Sequence, residues 1–136
     1  MSQTRLTDED KENTVPPATY CLVAVDCPDP AALAGFYAAL LGGDIKRDSD
    51  DWYDLYVPGG HRIAFQRAEG HQPPQWPRAD ASQQLHLDFH VTDMDAAESQ
   101  ALSLGAMPLD LDDQGGRRGF RVYADPAGHP FCLCRA

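Results

Sequence analysis

The chain repeats itself, and that repeat limits its fold more than any other feature. Pro58-Gly59-Gly60-His61-Arg62-Ile63-Ala64-Phe65-Gln66-Arg67 matches Pro126-Ala127-Gly128-His129-Pro130-Phe131-Cys132-Leu133-Cys134-Arg135, 68 positions further on. Upstream, Val25-Asp26-Cys27-Pro28-Asp29 leads into a segment closing on Leu41-Gly42-Gly43. Val91-Thr92-Asp93-Met94-Asp95 leads into one closing on Leu104-Gly105-Ala106. Self-similarity at this period means two copies of one supersecondary unit. A unit of about 50 residues buries too little surface to stand alone, so the two must share a sheet.

Each half reads β-α-β-β-β. In the first, Thr19 to Val25 is a β-branched run, Asp29 and Pro30 suit the N-cap and first helical position, and Leu33, Phe36, Tyr37, Leu40 and Leu41 form one helical stripe. Strands follow near 45–47, 52–57 and 62–67. In the second, Leu85-His86-Leu87-Asp88-Phe89-His90-Val91 alternates strictly, which predicts a strand over 84–91. A helix over 94–104 starts at Asp93 or Asp95, with Asp95 and Glu98 spaced as a capping box. Further strands fall near 107–111, 119–124 and 130–135. The fold class is α+β, as modules 18–67 and 84–136 in one domain, joined by a Pro-rich connector over 68–83. Residues 1–17, polar and ending Val15-Pro16-Pro17, read as a disordered tail.

The charge balance narrows the partners. Twenty-one acidic against eleven basic residues give a net charge of −10, without the basic cluster that nucleic-acid binding requires. No apolar run approaches the roughly 20 residues of a membrane span, and no secretory signal is visible, so a cytoplasmic protein is expected. Cys21, Cys27, Cys132 and Cys134 lack zinc-finger spacing and read as buried thiols. The Asp48–Asp51 and Asp110–Asp113 runs read as solvated loops able to steer a cationic ligand.

The duplication resembles the vicinal-oxygen-chelate superfamily, and within it the glyoxalase-like domain branch. The resemblance rests on Pro28-Asp29-Pro30 before the first helix, Phe36-Tyr37 inside it, His86-Leu87-Asp88 opening the second half, and Asp125-Pro126-Ala127-Gly128-His129-Pro130-Phe131 near the end. It implies two modules forming a curved sheet, a cup with helices on its convex side, and commonly a homodimer. It also implies a divalent metal held at four positions, which fall here on Tyr20, Ala64, His86 and Cys132. Only His86 keeps the metal-binding residue type. Ala64 has no donor atom and Cys132 offers a soft thiol, so the expectation is no metal, with a cation through His86 as the alternative.

Strand parity points His86, Asp88 and His90 to the concave side, about 7 Å apart in succession, together with Tyr20, Leu22, Ala24, Arg62, Ala64, Gln66, Cys132 and Cys134. The expected ligand-binding residues are Tyr20, Gln66, His86, Asp88 and Cys132, with Trp52 and Trp76 at the rim; no catalytic residue is assigned. A His86–Cys132 nucleophile pair is conceivable if their strands lie adjacent. His61 and His129 sit at matching turns and read as turn structure. Three functions compete: a small-molecule binding protein of the sequestration or resistance type, a glyoxalase-like enzyme using His86 and Asp88, and a structural module with an empty cup.

Overall fold

A computed structural model describes residues 15–136; the rest of the expected N-terminal tail lies outside them. The first module runs β1 (Val23–Cys27), α1 (Pro30–Leu41), β2 (Asp44–Ser49), β3 (Trp52–Val57) and β4 (His61–Arg67). The second runs β5 (Leu87–Val91), α2 (Met94–Ser103), β6 (Met107–Asp110), β7 (Phe120–Ala124) and β8 (Pro130–Arg135). The strand orders are β1-β4-β3-β2 and β5-β8-β7-β6. The same permutation in both halves is the repeat in three dimensions. The strands form two four-stranded mixed sheets rather than one continuous sheet.

Local chemistry sets the boundaries. Asp29 accepts from the Ala32 N–H at 3.1 Å and Pro30 fills the first turn of α1. Gly42 then donates to the Ala38 carbonyl at 2.8 Å. Gly43 is held at φ +101°, where an added Cβ would stand 2.2 Å from the Tyr56 carbonyl oxygen, so only glycine lets the helix end pass this close to β3. In the second half Asp93 caps α2 by accepting from Ala96 N–H at 3.1 Å. The capping-box reading of Asp95 and Glu98 gives way to other bonds: Arg121 donates to Asp95 at 3.1 Å and the Tyr123 hydroxyl to Glu98 at 2.9 Å.

Two strands start later than the sequence predicts. β1 begins at Val23 because its parallel partner β4 meets it there, Val23 opposite Ile63. β5 begins at Leu87 because Gln84 takes φ +59°, which breaks the extended run. One further correction concerns Asp113, which is buried, accepts from Arg121 at 3.0 Å and from Arg135 at 2.5 Å, and is no part of a solvated loop.

Residues of both helices and both sheets join one continuous core. Tyr37 is its centre: its ring stacks on Phe65 at 5.6 Å and lies 6.0 Å and 6.2 Å from Phe89 and Phe131 of the second module. Its hydroxyl donates to the buried Asp125 carboxylate at 2.6 Å. The other Asp125 oxygen accepts the Ala127 and His129 N–H groups, and His129 Nε2 lies 2.6 Å from the Asp26 carbonyl of β1. His129 is thus a clasp between modules as well as a turn residue. No helix among the described residues is long and apolar enough to cross a membrane.

Candidate functional site

Alternation along β5 and β8 builds a polar cluster on the face turned away from the helices. The strands run parallel, with Asp88 opposite Cys132 and His90 opposite Cys134. Leu87, Phe89, Phe131 and Leu133 point the other way and pack in the core. His86 sits one residue ahead of β5, and its Nε2 lies 3.1 Å from Asp88 Oδ1. One donor atom each from His86, Asp88 and Cys132 lies within 4.8 Å of the other two. A carboxylate at that distance can orient an imidazole by a hydrogen bond. Burial first, and then the neighbouring Asp88 carboxylate, push the Cys132 thiol up to about 12. It is a protonated thiol at neutral pH, so the nucleophile pair lacks its thiolate.

On the corresponding face of the first module, Trp52 stands opposite Gln66, Asp54 opposite Ala64, and Tyr56 opposite Arg62. Asp54 is buried, with Oδ1 3.4 Å from Arg62 Nε. Neither atom has a hydrogen-bond partner among the described residues. The Arg62 guanidinium donates to the Tyr56 hydroxyl at 3.3 Å and to Cys21 Sγ at 3.8 Å. Cys21 itself is exposed, unlike the buried thiol expected; Cys27 and Cys132 are buried and Cys134 half-buried. All four are unpaired.

The structure distributes the expected lining over separate places. His86, Asp88 and Cys132 come together. Trp52 and Gln66 share a shallow pocket of about 450 Å³ with Asp51, Arg67 and Glu69. Tyr20 lies ahead of β1 and is 81% exposed, and Trp76 is half-buried in the connector. A larger cleft, about 540 Å³, lies between β1 and the entry to β5 beneath the connector, and of the expected residues it takes only His86. Sequence reasoning missed Asp54, Gln83 and Asp125. The alternation Trp52-x-Asp54-x-Tyr56 carried a signal for the first, and the Asp125-Pro126-Ala127-Gly128-His129 turn for the last. Gln83, in the connector, carried none.

The four-point metal cradle implied by the resemblance does not fit these residues. Tyr20 is out in solvent and Ala64 has no donor, so the first module supplies no ligand at either of those two positions. The second module's own three donors do match in number the protein ligands of an open zinc-type site.

Residues 22–134 match the family model described as a glyoxalase-like domain. No curated protein matches the chain. Among solved structures, a point mutant of the fosfomycin resistance protein FosX of Listeria monocytogenes, complexed with Mn(II) and 1S,2S-dihydroxypropylphosphonic acid, is 12% identical. The match covers 89% of this chain and 94% of that one with a TM-score of 0.66. An Arabidopsis thaliana gene product is 16% identical, with 88% and 99% covered and a TM-score of 0.63. A glyoxalase/bleomycin resistance protein/dioxygenase family enzyme of Burkholderia phytofirmans is 17% identical, with 84% and 95% covered and a TM-score of 0.60. At such identities the likeness is one of fold, the vicinal-oxygen-chelate fold. With the family model spanning nearly all the described residues, the chain belongs to the glyoxalase-like domain family.

Proposed function

We propose that the protein binds a small molecule against His86, Asp88 and Cys132, with no metal held between the two modules. The observation that carries this reading is the convergence of those three side chains on the face away from the helices, with His86 and Asp88 exposed to a ligand. The first module offers Arg62, Tyr56 and Gln66 on its corresponding face. A thermal-shift screen over a small-molecule library tests it, because a compound that binds only the native state raises the melting temperature. His86→Ala is expected to keep the native circular dichroism spectrum and lose the shift. An undiminished shift in that variant contradicts the reading.

A second reading, a metal-dependent enzyme of the family, is favoured by the same three donors lying within 4.8 Å of one another and by the Mn(II) bound to the Listeria relative. Metal analysis of protein purified without chelator separates the two. We also propose a homodimer. Met107 and Leu109 on the edge strand β6, with Phe120 on β7, are exposed apolar side chains of the kind that pair between copies. Light scattering showing a monomer at micromolar concentration contradicts it. The four unpaired thiols support a reducing, cytoplasmic setting.

A further inference from the structure

The outer edge of β1 carries main-chain groups that the sheet does not use. In a strand the N–H and C=O of one residue point to the same side, and that side alternates along the chain. The Cys27 carbonyl accepts from the Ala68 N–H at 2.9 Å, one residue beyond its β4 partner Arg67. Cys27, Val25 and Val23 therefore turn their peptide groups toward β4. Asp26 and Ala24 turn theirs outward, in agreement with the 2.6 Å contact between His129 Nε2 and the Asp26 carbonyl. On that side β1 has no partner strand among the described residues. The Asp26 carbonyl is engaged by His129, which leaves the Ala24 N–H, the Ala24 C=O and the Asp26 N–H as edge groups. Ala24 and Asp26 are both exposed, and both line the cleft of about 540 Å³ beneath the connector.

The side chains around this edge narrow the occupant. Val23, Val25 and Leu87 give the cleft an apolar wall, and Leu85 lines it while 76% exposed. Two carboxylates, Asp26 and Asp125, and three imidazoles, His71, His86 and His129, also line it, with no lysine or arginine. Asp125, His71 and His129 already bond within the protein. An uncharged main chain fits this mixed lining without needing a counter-charge. An open strand edge beside apolar side chains takes an extended peptide as an added strand, the main chain supplying the bonds and the side chains the selectivity. A cleft of this volume admits only a short one.

We propose that the β1 edge binds a short, extended, uncharged peptide-like ligand, one residue of which exchanges both of its main-chain hydrogen bonds with Ala24. Alternation then sets the flanking side chains beside Val23, Val25 and Leu87, where apolar groups are favoured. Of the polar cluster's residues the cleft takes only His86, so this proposal stands apart from that site. The probe is N-acetyl-leucyl-alanyl-leucine N-methylamide, followed by amide chemical-shift titration of the full chain. It is expected to shift residues 23–26 and 85–87 and to move the Ala24 amide proton downfield. An analogue with lactic acid in place of the alanine keeps the shape, loses one N–H and sets an ester oxygen against the Ala24 carbonyl. It should bind at least about tenfold more weakly. Ala24→Pro removes the edge N–H and leaves the bonds to β4, a substitution that edge strands tolerate; it should weaken the peptide by about tenfold or more. Should that variant not fold, the ester comparison on the wild-type chain decides alone. Equal binding of the ester overturns the proposal. So does an absence of shifts at ~10 mM peptide, a shift map centred on residues 88–90 and 132–134, or undiminished binding by folded Ala24→Pro.

Discussion

Asp125 shows how much of this molecule rests on a few buried polar atoms. Its two oxygens accept three hydrogen bonds: from the Tyr37 hydroxyl in the first module, and from Ala127 and His129 in its own turn. Burial, then the charge of Asp125 and this hydrogen bond, push the Tyr37 hydroxyl well above its ordinary range, so it is a donor at neutral pH. Tyr37→Phe keeps the aromatic packing and removes only the donor. It should destabilise by about 1–3 kcal/mol in urea denaturation, the usual effect of stranding a buried charged acceptor; no change in midpoint contradicts the role. Gly128 makes a second sharp case. At φ +91°, its missing Cβ would stand 2.4 Å from Pro73 Cβ, so the connector lies directly on the second module's turn. Gly128→Ala should destabilise by about 1–3 kcal/mol, read by the same measurement.

At the scale of elements, the strongest local signals were the ones read correctly from sequence. α1 runs Pro30–Leu41, as its cap and stripe predict, and β8 runs Pro130–Arg135. Hydrophobic period and turn chemistry are local properties, written where they act. The starts of β1 and β5 were not legible because they depend on where a distant strand begins and on one left-handed residue, Gln84. Of the site, alternation along β5 and β8 placed His86, Asp88 and Cys132 on one face. The positions of Tyr20, Trp52 and Trp76 depend on how chain ends and connectors pack, which periodicity does not encode. Asp113, in the Asp110–Asp113 run, illustrates the same limit: the charges of the run suggested solvent, but tertiary partners bury Asp113 in an ion-pair network with Arg121 and Arg135.

That network yields a pH dependence. Burial by itself raises the Asp113 pKa, but hydrogen bonds from Arg121 and Arg135 outweigh it and hold the carboxyl below its ordinary value of 3.8. The native state therefore keeps the carboxylate after the unfolded chain has taken up a proton. The stability this contributes is complete above 3.8 and is lost as pH falls below it, through the native-state pKa. Asp113→Asn should be less stable than wild type at neutral pH, and the difference should shrink on acidification below that point. A constant difference across the titration contradicts the assignment.

For the whole molecule, the seam between modules matters more than either sheet. Among the described residues no strand pairing joins the sheets, yet Tyr37, Phe65, Phe89 and Phe131 form one aromatic cluster across them. His129 adds a clasp to β1. Two modules joined through one core should unfold together. Circular dichroism and tryptophan fluorescence are expected to give coincident urea transitions, and separated midpoints would show modules of independent stability.

The same seam frames the functional account, in which one module supplies the polar cluster and the other supplies no metal ligand at the corresponding positions. The most direct test is the melting-temperature rise produced by a compound found in the screen, measured with and without EDTA. The account predicts an equal rise in both, and one that His86→Ala removes. A rise abolished by EDTA and restored by one equivalent of a divalent metal would contradict it.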